Sequence, residues 1–136
     1  MRFGILGTTA AWRDDGSETA LGGPSLRSLL ALLLARAGEV VTTDALVDDL
    51  YGDRAPRDAG HALQSRISRL RRALAPVIIE GFPSGYRLSV DGDDIDAGRF
   101  ERLADEGRRA LAAGQPERAA TILGDALALW RGDALA

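Results

Sequence analysis

The sequence predicts an α+β fold: a small N-terminal antiparallel sheet, three helices, a C-terminal two-stranded hairpin and, beyond it, a pair of helices. Three observations predict it. Extended patterns, "RFGILG" and "YRLSV", bracket the first 90 residues. Between them lie three segments with helical apolar spacing and helix start or stop residues. After an acidic break, "DGDDID" (91–96), two amphipathic segments meet at "AAGQPE", where Gly114 stops one helix and Pro116 starts the next.

Composition narrows the function classes. A chain of 136 residues fits one domain, or a small domain with an appendage. It contains no cysteine and one histidine, His61, which excludes disulfides, thiolate metal sites and a multi-histidine metal site within one chain. No cofactor is implied. The longest apolar run, Leu29 to Ala35, is far below the roughly 20 residues that span a bilayer. No signal peptide is visible, so a cytoplasmic, membrane-free protein is expected. All 17 basic residues are arginine, which suits a GC-rich genome and weakens any argument from arginine chosen over lysine. The net charge of −3 hides an asymmetry. Residues 1–90 carry 11 arginines and 10 acids, residues 91–136 carry 6 and 10, and residues 54–72 carry six arginines against Asp58 alone. Such a local patch can draw a polyanion to an acidic protein.

Each element has a local reason. "RFGILG" is followed by "AAWRDDGSETAL", in which Asp15-Gly16 is a hairpin turn signal. The stretch lacks the three-glycine spacing of a dinucleotide-binding turn. Pro24-Ser25 opens the first helix, which runs to about Ala37 and stops at Gly38. Its leucines cover most sides, so it should be buried. "EVVT" is a short extended piece. Thr43 is expected to cap the second helix, which ends at Gly52. The third covers about Asp58 to Ala75 and stops before Pro76. "VIIE" and "YRLSV" are strands joined by "GFPSG", and in the second Tyr86, Leu88 and Val90 share a face. The acidic run 91–96 reads as a flexible, solvated boundary. It lacks the terminal glutamate of a calcium loop. Phe100, Leu103 and Trp130 are core candidates in the helical pair that follows.

The third helix is either a basic surface helix with no ligand or the part of the chain that carries the function. Leu63, Ile67, Leu70 and Leu74 fall within about 60° of one another, so that stripe faces a core. The opposite face carries His61, Ser65, Ser68, Arg69 and Arg72. Arg66 and Arg71 flank the stripe, and Gln64 lies beside Arg71. From Gly60 to Pro76 there is no acid, so the arginines lack a local partner. This face suits the major groove, where arginine pairs with guanine O6 and N7, glutamine with adenine N6 and N7, and serine permits close approach. The order of strands, helix, helix–loop–helix and hairpin is that of a winged helix-turn-helix, which would hold this helix outward.

"LQSRISRLRRAL" followed by "GYRL" resembles the winged-helix DNA-binding domain of the OmpR/PhoB type. The resemblance is closer to the SARP/AfsR-type regulators, through Leu6-Gly7, the stretch from Gly22 to Asp53 with Pro56, and the stretch from Arg99 to Leu135. It implies a transcription activator that binds double-stranded promoter DNA as tandem copies or dimers on direct repeats. By position it implies Gln64 and Arg69 as base readers, and His61, Ser65, Arg66, Ser68 and Arg72 as phosphate or secondary contacts. It places Thr43 and Tyr86 at phosphates, and it gives the loop Asp53 to Arg57, with Asp53, Arg54 and Arg57, to RNA polymerase. Relatives often carry a basic wing residue where this chain has Phe82, which either packs under the wing or wedges against sugars. The helical pair resembles the start of a bacterial transcriptional activation domain, a TPR-like array. The domains would then be 1–92 and 96–136. One pair rarely buries its own apolar face, so a chain ending at "WRGDALA" is expected to be a truncated array or to dock on the preceding domain.

Two other classes compete. An enzyme lacks paired carboxylates in a cleft context or a nucleophile motif near His61. A protein-interaction module, using the basic helix and the helical pair to bind an acidic partner, is the stronger rival.

Overall fold

A computed structural model describes residues 1–136. β1 (Arg2–Gly4) pairs antiparallel with β2 (Ala10–Trp12), with Arg2 opposite Trp12 and Gly4 opposite Ala10. The Asp15-Gly16 turn is present: Gly16 N–H donates to Arg13 O, and Trp12 bridges to Glu18. α1 (Pro24–Ala35) buries Leu26, Leu29, Leu30, Leu33 and Leu34. Its proline opens it, and Gly38, at φ +83°, turns the chain away and donates its N–H to Leu88 O.

"EVVT" contributes more than a connector. β3 (Val41–Thr42) pairs with β5 (Gly85–Ser89), which pairs with β4 (Ile78–Phe82), giving a three-stranded sheet in the order β3-β5-β4. α2 (Thr43–Tyr51) follows directly. Its cap is Thr42 rather than Thr43: the Thr42 hydroxyl accepts the Ala45 N–H at 3.1 Å. Adjacent threonines carry the same sequence signal, and the end of β3 decides between them, because Thr42 keeps the extended backbone a cap requires.

α3 (Ala59–Leu74) lays its stripe into the core, with Leu63, Ile67, Leu70 and Leu74 between 0% and 1% exposed. That stripe meets Leu29, Leu30 and Leu33 of α1, Leu46 of α2, and Ile79 and Leu88 of the hairpin in one continuous apolar cluster. Burying four such side chains is worth about 1.5–3 kcal/mol each, which fixes the rotation of α3 about its axis.

α4 (Asp96–Ala112) and α5 (Pro116–Leu127) form the antiparallel pair. Their facing surfaces are small residues, the buried Gly107, Ala110, Ala119 and Ala126. A Cβ on Gly107 would strike the Leu123 side chain. Phe100, Leu103 and Trp130 are only partly covered, with Trp130 40% exposed and edge-on to Phe100 at 5.5 Å. All three lie outside the main core.

The acidic run is neither flexible nor fully solvated. Ile95 belongs to the main core and bridges to Phe3. Asp96 is 4% exposed, and its carboxylate accepts N–H bonds from Ile5 at 2.8 Å, Leu6 at 3.1 Å and Ala97 at 2.8 Å. Three backbone donors satisfy a buried charge that the run of aspartates alone would leave in water. The tail after α5 returns to the same loop. Arg131 N–H donates to Leu6 O, Leu135 N–H to Ile5 O, and the Arg131 side chain to Thr8 O. The helical pair is therefore docked on the N-terminal sheet.

Candidate nucleic-acid interface

With the leucine stripe buried, α3 presents His61, Gln64, Ser65, Ser68, Arg69, Arg71 and Arg72 to solvent, and half-buries Arg66. The four helix arginines differ in what they touch. Arg71 donates from Nε (3.0 Å) and Nη2 (2.8 Å) to the carbonyl oxygen of Ile79, and lies 6.0 Å from the Tyr86 ring centre. Arg66 lies over the Tyr51 ring at 4.6 Å. Arg69 and Arg72 make no hydrogen bond or ion pair within the chain. A guanidinium without an internal partner keeps its five donors for another molecule. Of the two arginines that flank the apolar stripe, Arg71 is given to the wing and Arg66 to α2.

The wing runs against both neighbouring helices. The Arg71 bond ties β4 to α3, and the Thr43 N–H donates to Ser84 O at 2.9 Å, tying the hairpin turn to the start of α2. That bond occupies the leading amide of α2, so the hydroxyl is what Thr43 has to offer an anion. Tyr86 is half-buried beside Arg71. Asp53, Arg54 and Arg57 are all exposed, on the 3-10 turn Gly52–Arg54 and the loop before α3.

The hairpin is longer than the sequence suggested. β4 reaches Phe82, paired with Gly85, leaving Pro83-Ser84 as the turn. Gly85 is required by proximity, because a Cβ there would collide with the Val41 carbonyl oxygen of β3. Ile79 and Leu88 face the core; Glu80, Phe82 and Arg87 lie on the outer face. Phe82 does not pack beneath the hairpin. It is 36% exposed, and the Arg87 guanidinium sits 5.0 Å above its ring. Alternation in a strand sends Phe82 to the same side as Glu80, away from Ile79.

A three-helix core with a hairpin wing and one outward basic helix defines a winged-helix regulator. Comparison with known proteins agrees. Residues 17–88 match the family described as "Transcriptional regulatory protein, C terminal", and residues 95–136 match the bacterial transcriptional activator domain. The chain belongs to this family, in its SARP/AfsR-type arrangement. It is 39% identical over its whole length to the regulatory protein AfsR of Streptomyces coelicolor, of which it spans 14%. It is 36% identical over 99% of its length to the regulatory protein DnrI of Streptomyces peucetius, of which it spans 53%. The structure of Mycobacterium tuberculosis EmbR, in complex with a low affinity phosphopeptide, superposes with a TM-score of 0.91 at 35% identity, covering 98% of this chain and 37% of that one. The chain thus spans between about one-seventh and about half the length of these relatives. AfsR and DnrI carry the name regulatory protein, and EmbR that of transcriptional regulatory protein. No helix of this chain is long and apolar enough to cross a membrane.

Proposed function

We propose that this chain is the promoter-recognition part of a cytoplasmic transcription activator, and that α3 reads the major groove of double-stranded DNA. The observation that carries this reading is the split of α3: a stripe 0–1% exposed on one side, and on the other Arg69 and Arg72 with no partner in the chain. Gln64 and Arg69 are the base readers in this account, since both present bidentate edges from an exposed helix face. His61, Ser65, Arg66, Ser68, Arg72, Thr43 and Tyr86 position the protein on phosphates. Residues 1–92 form the DNA-binding unit, and residues 96–136 begin the activation unit. The exposed loop holding Asp53, Arg54 and Arg57 meets RNA polymerase, with tandem copies on direct repeats.

Selection from a random duplex pool, followed by footprinting, tests this. The reading expects an enriched direct repeat, and log K falling against log salt by about 0.9 for each phosphate neutralised. An acidic protein partner would instead leave the pool unselected.

A further inference from the structure

The outer face of the wing holds a closed cluster that major-groove reading does not use. Glu80 and Arg87 stand opposite each other on β4 and β5. The Arg87 Nη2 donates to both carboxylate oxygens of Glu80 at 3.0 Å, and its Nε to Oε1 at 3.3 Å. The Ser89 hydroxyl donates to the same carboxylate at 2.7 Å. The guanidinium then lies over the Phe82 ring. Hydrogen bonds from Ser89 and Arg87 hold the Glu80 carboxyl below the usual carboxylate range, so the clamp is charged at neutral pH. Arg87 is the only basic residue between Val77 and Val90. The wing's one cation is therefore already neutralised.

We propose that Glu80 is a positioning residue that limits the wing's affinity for DNA, by holding Arg87 over Phe82 and away from the phosphate backbone. This rests on the reading of the chain as a duplex-binding winged helix. The side chains of Glu80 and Arg87 are 37% and 35% exposed, so water and a phosphate oxygen can reach the pair. An exposed ion pair is weakly held, and a phosphate offers the guanidinium the same bidentate geometry as the carboxylate it replaces. This restraint on Arg87 vanishes if the carboxylate is neutralised without loss of volume.

The test uses the whole 136-residue chain and a fluorescein-labelled mixed-sequence duplex, with anisotropy read at several salt concentrations, for wild type, Glu80→Gln, Arg87→Ala and the double variant. Unfolding curves confirm that each is folded. Glu80→Gln is expected to bind roughly threefold to tenfold more tightly at moderate salt, with a log K against log salt slope steeper by about 0.9, the value for one added phosphate contact. In the double variant this gain is lost, because the effect passes through Arg87. Unchanged affinity and slope in Glu80→Gln, while wild type binds, would overturn the proposal and leave the DNA-binding reading standing. A gain that survives in the double variant would also overturn it, since the charge of Glu80 alone would then be acting. Failure of all four proteins to bind duplex would remove the DNA-binding reading and the proposal together.

Discussion

Arg71 donates two hydrogen bonds to the carbonyl oxygen of Ile79, and this single contact separates the structural arginine of α3 from those left for a ligand. Side chain and carbonyl belong to different elements, so the bond sets the angle between helix and wing. Arg71→Ala is expected to destabilise the fold by about 1.5–3 kcal/mol, the usual range for a hydrogen bond to a charged group. It should also weaken binding to every duplex alike, because the wing loses its brace. Urea unfolding and anisotropy on two unrelated duplexes measure both effects.

Arg69 and Arg72 should separate in the opposite way. Arg69→Ala is expected to cost about 1–3 kcal/mol on the selected operator and to relax one base position. Arg72→Ala should weaken operator and mixed-sequence duplex equally and lower the salt slope by about one. Neither change should alter stability by more than about 0.5 kcal/mol, since both side chains are exposed and make no bond within the chain. Binding to a panel of single-base operator variants distinguishes the two roles.

Asp96 is the next test, because its burial was unexpected. Asp96→Ala removes the acceptor of the Ile5 and Leu6 amides and leaves them covered by the docked helical pair. The cost should be about 2–6 kcal/mol, from two buried donors at about 1–3 kcal/mol each. Asp93→Ala is the contrast. Asp93 accepts from Arg102 at 3.0 Å, but the two side chains are 63% and 48% exposed, so the loss should stay below about 1 kcal/mol. Denaturant midpoints for the two variants give the comparison directly.

Gly85→Ala should open the three-stranded sheet. Its Cβ meets main-chain atoms of Val41 and Thr42, which cannot move aside as a side chain can. Loss of the β3–β5 pairing also loosens the turn held by Thr43. Hydrogen exchange at Tyr86 and Val41 should accelerate, and duplex affinity should fall. Gly107→Ala is milder, because its Cβ meets only the flexible Leu123 side chain.

Much of this was legible in the sequence, and the exceptions share a cause. The stripe Leu63, Ile67, Leu70, Leu74 follows from helical geometry alone, and so does the outward face carrying Gln64, Ser65, Arg69 and Arg72. The Gly114–Pro116 break between α4 and α5 is local chemistry and needed no tertiary information. Helical geometry puts Arg71 on the flank of the stripe and Arg72 opposite it, but the bond of Arg71 to the Ile79 carbonyl forms only when the chain folds back. Asp96 sits in a run that reads as a solvated turn, and its partner amides are some 90 residues away. Phe82 looked like a loop residue because Pro83 follows it, yet pairing with Gly85 keeps it in the strand. Thr42 and Thr43 compete for one cap, and only the extent of β3 resolves them.

Amide chemical-shift mapping during titration with the selected duplex tests the central claim most directly. The account predicts shifts concentrated at Gln64, Ser65, Ser68, Arg69 and Arg72 of α3, and at the Pro83-Ser84 wing turn, with α4 and α5 unaffected. Shifts confined to α4 and α5, or none along α3 while the duplex is bound, would contradict it.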